Sequence, residues 1–480
     1  MPPFPYFPNS GRQPDSSFEM TVNPTSASYL RRASSLVCAG LALVLGAVPA
    51  SAETLTEALA AAYANNPTLE AERAQLRATD EGLAEARSGY RPTVTATASA
   101  GVVESDSNIS GSQTLNPVTY GVGVQQPLYR GGRTIAGTSQ AKNAILGERE
   151  RLRSVEQSVL LEAATAYMDV LRDIAVVELT VKNEQVLRRD LEATRDRASV
   201  GDATRTDVSQ AEARLAGAIA GRIQAQGTLE GSRAVYRRIV GRLPEGLVEP
   251  QLADALPVSL DETMALAEQN NPDLLAAQYA QSAAGDEIDL ARGEMLPTLT
   301  LNGAIEHRED SVAPGSEIDS MSVIAQLTIP LYEAGGPSAR VRRAKHVEAQ
   351  RQYQSEAARR GVMEQATRAW QGLESARAAV DQFQIQVQAS EIALGGTRQQ
   401  ARVGSRSILD VLNAEQELLD AQVNLVRARA GSIVAQLQVL AAVGRLNARD
   451  MALPVEYFDE EAYYKKAKGR IWGTGIGDGN

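Results

Sequence analysis

The stretch "VGDATRTDVSQAEARL" at 200–215 returns as "VGSRSILDVLNAEQEL" at 403–418. Both read V-G, five residues, D-V, two residues, A-E, two residues, L, with an offset of 203 residues (403 against 200). Other pairs keep nearly the same displacement. "YANNPTLEAERAQL" at 63–76 matches "EQNNPDLLAAQYAQ" at 268–281, and "RPTVTATASAG" at 91–101 matches "LPTLTLNGAIE" at 296–306. Pro127-Leu128-Tyr129 falls on Pro330-Leu331-Tyr332, and Tyr167 on Trp370. A solenoid repeats every 20–50 residues; here one domain-sized unit of roughly 200 residues is present twice. Any fold must therefore be built from two similar halves.

Each half opens with a helix, at about 54–89 and about 259–294. Asn66-Pro67 and Asn271-Pro272 break or offset those helices, because proline disfavours a helical residue before it. Next comes a strand pair with period-two alternation. Val94, Ala96, Ala98, Ala100 and Val102 stand against Thr93, Thr95, Thr97 and Ser99; Val118, Tyr120, Val122 and Val124 stand against Thr119, Gly121, Gly123 and Gln125. In the second half Leu299, Leu301 and Ile305, then Val323, Ala325, Leu327 and Ile329, form one-sided rows. The strands are expected at about 92–104, 117–128, 297–306 and 321–331, joined by the polar loops "ESDSNISGSQTLNP" and "HREDSVAPGSEIDSM".

Long helices come next. Val155, Val159, Ala163, Ala166, Val170, Ile174, Val177 and Val181 form a stripe at helical spacing. Leu412, Leu419, Val426, Ile433 and Leu440 keep a seven-residue spacing, which is a coiled-coil signal. Aromatics are only 4% of the chain, which suits helices packed through small side chains. A net charge of -11, with Arg interspersed among Asp and Glu, speaks against a nucleic-acid footprint.

The N-terminus reads as a secretory signal. Arg31-Arg32 precede the apolar run "ASSLVCAGLALVLGAV", and small residues end at Ala52. The start codon is Met1 or Met20, and the single cysteine, Cys38, lies inside this segment. The expected division is 1–52 signal, 53–250 and 251–450 as the two repeats, and 451–480 as a polar tail.

Four amphipathic strands beside long helices pose a problem. Open strand edges have no place in lipid, and single-chain membrane barrels begin at about eight strands. Several chains together would close one, and three would supply twelve strands. A soluble sheet covered by helices is the other reading of the same pattern.

The duplication, the "NNP" helix openings, the strand pairs and the V-G-x5-D-V phrase resemble the TolC family of outer-membrane channel-tunnels over about 53–450. The tail "VEYFDEEAYYKKAKGRIWGTG" resembles the ending of members that serve type I secretion. The resemblance implies a fold that is mainly α with a membrane β-barrel contribution. Each chain would give four strands and long coiled-coil helices to a trimeric twelve-stranded barrel and helical tunnel. It implies outer-membrane lipid, a periplasmic adaptor (membrane fusion) protein and an inner-membrane ABC or RND transporter as partners, with no nucleic acid and no cofactor.

The phrase itself has a local reading and a family reading. Locally, Gly201 and Gly404 stop one helix, and "TRTD" (204–207) and "SILD" (407–410) cap the next, with Asp207 and Asp410 on free amides. By resemblance, these turns are periplasmic tips that close the tunnel. Arg406 falls on an arginine that links neighbouring chains, with Thr206 and Asp207 on its partners. Asp410 falls on a carboxylate ring at the constriction. A second acidic ring position is Asn413 here, and a latch tyrosine is Ala401. Val200-Gly201 and Val403-Gly404 match the motif that meets the adaptor.

An enzyme would need a reactive constellation. No phosphate loop, nucleophile elbow or metal-spaced cluster appears, and His307 (in a polar loop) and His346 (on a charged helix) read as solvated surface. No catalytic, cofactor-binding or metal residues are expected. A periplasmic coiled-coil scaffold would explain the helices but leave the strands without a purpose. Within the channel reading the cargo is an exported protein or, alternatively, small molecules removed by efflux.

Overall fold

The computed structural model describes residues 53–108, 111–250 and 256–476; the expected signal segment lies outside them. The first half runs α1 (Leu55–Asn65), α2 (Pro67–Ser88), β1 (Thr93–Ala100), β2 (Val103–Ser107), β3 (Gly111–Leu115), β4 (Val118–Arg130), α3 (Arg133–Ser199) and α4 (Arg205–Val240). The second runs α5 (Leu260–Asn270), α6 (Pro272–Gly293), β5 (Thr298–Glu309), β6 (Glu317–Thr328), α7 (Gly336–Arg402) and α8 (Ile408–Ala442). α9 (Glu460–Gly469) lies in the tail.

The opening helices are offset at the two asparagines. Asn66 has extended backbone, and its Oδ1 accepts the Thr68 N–H at 2.9 Å. Asn271 repeats this with the Asp273 N–H at 3.0 Å. Pro67 and Pro272 take the first helical position, where a missing N–H costs nothing. Each asparagine also spends its amide on a second helix: Asn66 Nδ2 donates to the Ile239 carbonyl at 3.2 Å, and Asn271 Nδ2 to the Ala442 carbonyl at 3.1 Å. These are otherwise free carbonyls at the ends of α4 and α8. α2 is thereby stacked on the end of α4, and α6 on the end of α8.

α3 and α7 each hold 67 residues, roughly 100 Å at 1.5 Å per residue. Near the sheet the helices lie in the order α2, α3, α6, α7; beyond the asparagines the order is α4, α3, α8, α7. Both layers are a four-helix wall with the same open edges. The main core sits at the junction between the layers. Leu59, Leu160, Tyr167, Tyr236 and Leu437 are fully buried there, and Val159, Ala163, Ala166 and Val170 of the apolar stripe join them. Tyr236 donates to Glu53 Oε1 at 2.5 Å, and Arg242 pairs with the same oxygen at 2.7 Å.

The four long strands form one antiparallel sheet in the order β1-β4-β5-β6. Cross-strand register puts Val94, Ala96, Ala98 and Ala100 beside Val124, Val122, Tyr120 and Val118. Those continue into Gly303, Ile305, His307 and Glu309, and then Val323, Met321, Asp319 and Glu317. One face is therefore apolar for about 25 Å before it turns polar at His307, Asp319 and the two glutamates. Thr, Ser, Gln and Asn dominate the other face, with Ala304, Ile318 and Ile324 as apolar exceptions and Glu306 and Arg308 as charged ones. β1 and β6 have no outer partner among the described residues.

Three local expectations are corrected. The first strand ends at Ala100 rather than near 104, and the polar loop after it carries the separate hairpin β2–β3. The second loop is shorter than expected, because β5 reaches Glu309 and β6 begins at Glu317 and ends at Thr328. His307 therefore lies in a strand, 4.8 Å from the Tyr120 ring and 2.7 Å from Asp319, rather than in a loop.

Candidate gate at the helical hairpin tips

α3 and α7 end in the same turn. Gly201 and Gly404 adopt φ of 85° and 76°, the left-handed region that glycine enters without a Cβ penalty. The next residue folds back: Asp202 N–H donates to the Arg197 carbonyl at 2.9 Å, and Ser405 N–H to the Gln400 carbonyl at 3.0 Å. Val200 and Val403 stand out at the tips, each 79% exposed.

The capping boxes read from "TRTD" and "SILD" are both formed. Asp207 N–H donates to Thr204 Oγ1 at 3.1 Å, while Asp207 Oδ2 accepts the Thr204 N–H at 2.8 Å. Asp410 N–H donates to Ser407 Oγ at 3.1 Å, and Asp410 Oδ2 accepts the Ser407 N–H at 3.0 Å. The Thr204 hydroxyl and backbone hold Asp207 below the ordinary carboxylate range. The Ser407 backbone and hydroxyl do the same for Asp410, with the Arg406 charge adding to it. Two ionised carboxylates thus sit at the start of α4 and α8, where the helix dipole favours negative charge.

The remaining expected site residues are exposed. Arg406 Nε donates to Gln400 Oε1 at 3.3 Å, a long bond at the surface. Among the described residues no hydrogen bond joins Arg406 to Thr206 or Asp207 within the chain. Asn413 accepts from Arg214 Nη2 at 2.6 Å, which ties α8 to α4.

Behind each tip lies a contact that spacing alone does not reveal. Arg195 pairs with Glu212 at 2.7 Å, and Arg398 with Glu415 at 2.7 Å. The glutamates are the E of the repeated A-E, and each arginine follows a threonine 17 residues upstream of its partner. The repeated phrase therefore supplies the glutamate of an ion pair that clamps each helical hairpin as well as a cap. The two copies differ in environment. Glu212 is half exposed, whereas Glu415 is buried with Oε2 unpartnered. Burial lifts Glu415 to about 7; Arg398 opposes the rise and the nearby Asp190 carboxylate adds to it. One buried oxygen of Asp190 is likewise unpartnered.

Two similar halves, a sheet with open edges and long hairpins can be compared with known proteins. The model of the family described as outer membrane efflux protein matches residues 58–242 and again 263–445. The chain belongs to that family. The outer membrane efflux protein BepC of Brucella suis is 34% identical over 91% of this chain and 95% of its own length. The outer membrane protein TolC of Vibrio cholerae is 29% identical over 83% of this chain and 92% of its own. The alkaline protease secretion protein AprF of Pseudomonas aeruginosa is 26% identical over 70% and 71%. Among solved structures, the outer membrane protein VceC of Vibrio cholerae superposes with a TM-score of 0.72, covering 81% of this chain and 96% of that one, at 20% identity.

As a member of the outer membrane efflux protein family, the chain is an outer-membrane export duct with a long periplasmic part. The resemblance read from the repeats and the mixed barrel-and-tunnel fold class both hold. The apolar sheet face now has a solvent: its height matches the roughly 25 Å apolar band of outer-membrane barrels. No helix among the described residues is long and apolar enough to cross a membrane.

Proposed function

We propose that three copies close the sheet β1 to β6 into a twelve-stranded barrel and the helical wall α4 to α7 into a tunnel. The observation that carries this is the coincidence of open edges. The strand edges and the helical-wall edges fall on the same two sides of the chain. In this reading 53–250 and 251–450 are the two repeated units, preceded by a cleaved signal at 1–52.

The hairpin tips form the periplasmic gate. Arg406, whose only bond within the chain among the described residues is long and exposed, reaches Thr206 and Asp207 of a neighbouring copy. Such a charge-assisted contact holds a closed state. Asp410 lines the constriction as a ring of three and favours cations, while Asn413 leaves the second ring neutral. Val200-Gly201 and Val403-Gly404 meet a periplasmic adaptor, which in turn engages an inner-membrane ABC or RND transporter. The protein acts as a passage and does no chemistry on its cargo.

Type I protein secretion is our reading of the cargo, supported by the tail and by likeness to an alkaline protease secretion protein. Efflux of small molecules is the second reading, favoured by likeness to a named efflux protein. Single-channel conductance of wild type and Arg406→Ala tests the gate: larger currents in the variant support it, and equal currents refute it. A deletion strain separates the cargoes. Loss of proteins from the culture medium with unchanged drug tolerance supports secretion; the reverse supports efflux.

A further inference from the structure

The tail beyond the repeats has a defined course. Phe458 N–H donates to the Tyr63 hydroxyl at 3.1 Å, and the Phe458 ring receives the Arg73 guanidinium at 5.3 Å. α9 then climbs along α2 towards the sheet. Tyr463 donates to Glu81 at 2.7 Å, and Arg470 pairs with the same oxygen at 3.3 Å. Arg91 Nη1 finally donates to the Arg470 carbonyl at 2.9 Å. Arg91 lies two residues before β1, so its guanidinium ties the start of the segment after Arg470 to the periplasmic end of the sheet.

Residues 471–476 are unusually apolar for a surface segment. Trp472 is 93% exposed, and Ile471 and Ile476 are exposed beside it. Tyr90, Leu128 and Tyr129 are exposed at the same end of the sheet, and Leu331 and Tyr332 repeat them in the second half. The residues just before are basic. Lys466 and Lys468 are exposed and form no ion pair among the described residues, in a chain whose net charge is -11. Tryptophan and tyrosine favour the level where lipid meets water, and lysines are drawn to anionic headgroups.

We propose that residues 470–476 are a membrane-interface anchor, which docks Trp472 into the inner leaflet of the outer membrane while Lys466 and Lys468 face anionic phospholipid headgroups. The occupant of this patch is lipid. The Arg91–Arg470 contact holds the patch at the end of the sheet whose face is apolar, and its basic flank complements the charge of anionic headgroups. The anchor fixes the height of the barrel in the bilayer through the α9–α2 contacts, so the tunnel below keeps a set distance from the membrane.

The test uses the chain's two tryptophans, Trp370 and Trp472. The full-length Trp370→Phe variant is placed in vesicles of phosphatidylethanolamine and phosphatidylglycerol, and ion conductance establishes that it has inserted. Lipids brominated near the headgroup should quench Trp472 emission by about half or more, as expected for a ring at the interface. The Lys466→Glu and Lys468→Glu pair should reduce that quenching in anionic vesicles and leave it unchanged in zwitterionic ones. If Trp370→Phe does not fold, wild type against Trp472→Phe gives the same difference signal. Emission quenched by aqueous acrylamide and untouched by bromine overturns the proposal, since Trp472 then faces water. Protection from both quenchers also overturns it, and places Trp472 against a neighbouring copy.

Discussion

Arg398 meets Glu415 at 2.7 Å across the second hairpin, and Glu415 is buried while its arginine is half exposed. Burial raises the carboxyl to about 7, so folding favours its protonated form. An acid raised above its ordinary value of about 4.3 contributes stability that is fully present below that value. The contribution is lost as pH rises through about 7. Glu415→Gln holds the neutral form at all pH. Its melting temperature should vary less than wild type between about pH 5 and about pH 8, and should exceed wild type at the upper end. Equal pH slopes in thermal unfolding would show that Glu415 is not the group responsible.

The first-half pair makes an internal control. Arg195 and Glu212 are both half exposed, and exposed pairs contribute about 0.2–1 kcal/mol. Arg195→Ala should cost no more than that in denaturant unfolding, with little dependence on pH. Arg398→Ala leaves a buried carboxyl without its cation, and Glu415 then stays protonated to higher pH. Its stability loss should be small at about pH 5 and clearly larger at about pH 8. A larger loss for Arg195→Ala than for Arg398→Ala at the higher pH contradicts this ordering.

The tips separate two roles that coincide in sequence. Gly201 and Gly404 have left-handed backbone, and a Cβ there would meet nothing within 4 Å, so Gly→Ala brings backbone strain alone, about 1 kcal/mol each. Val200 and Val403 are exposed and fill no core. Val200→Ser with Val403→Ser should leave the melting temperature within a degree or so. The same pair should weaken adaptor capture by roughly tenfold if the tips are a docking surface. Full adaptor binding by the valine variant restricts the motif to stopping a helix.

The residues explain why some of this is legible in the sequence. The duplication, the alternating faces of β1 and β4 and the two caps each depend on neighbours a few positions away, and periodicity reports those directly. The hairpin β2–β3 reads as a loop because Val103 pairs with Leu115 at one end only, and the rest is Glu, Ser, Asp, Gln and Thr without an apolar side. Arg398 and Glu415 are 17 residues apart, and only a turn between two helices brings them together. The course of the tail rests on Arg91 and Arg470, 379 residues apart, a separation no local pattern reaches.

Asn66 allows the sharpest test of how the two helical layers are joined. Its Oδ1 caps α2, and its Nδ2 satisfies the Ile239 carbonyl at the end of α4. Asn66→Ser keeps a capping oxygen and removes the amide NH2 that reaches Ile239, a distance the shorter hydroxyl does not span. Leaving a buried carbonyl unsatisfied costs about 1–3 kcal/mol. Asn66→Ala removes both and should cost about 1 kcal/mol more, the typical worth of a cap. Asn271 makes the same two bonds in the second half, so Asn271→Ser should match Asn66→Ser if the junction is structural in both repeats. Urea unfolding of the four variants, including Asn271→Ala, decides it. A serine variant as stable as wild type would mean that the link to α4 contributes nothing, and that packing of Leu69 and Tyr236 in the shared core alone holds α2 on α4.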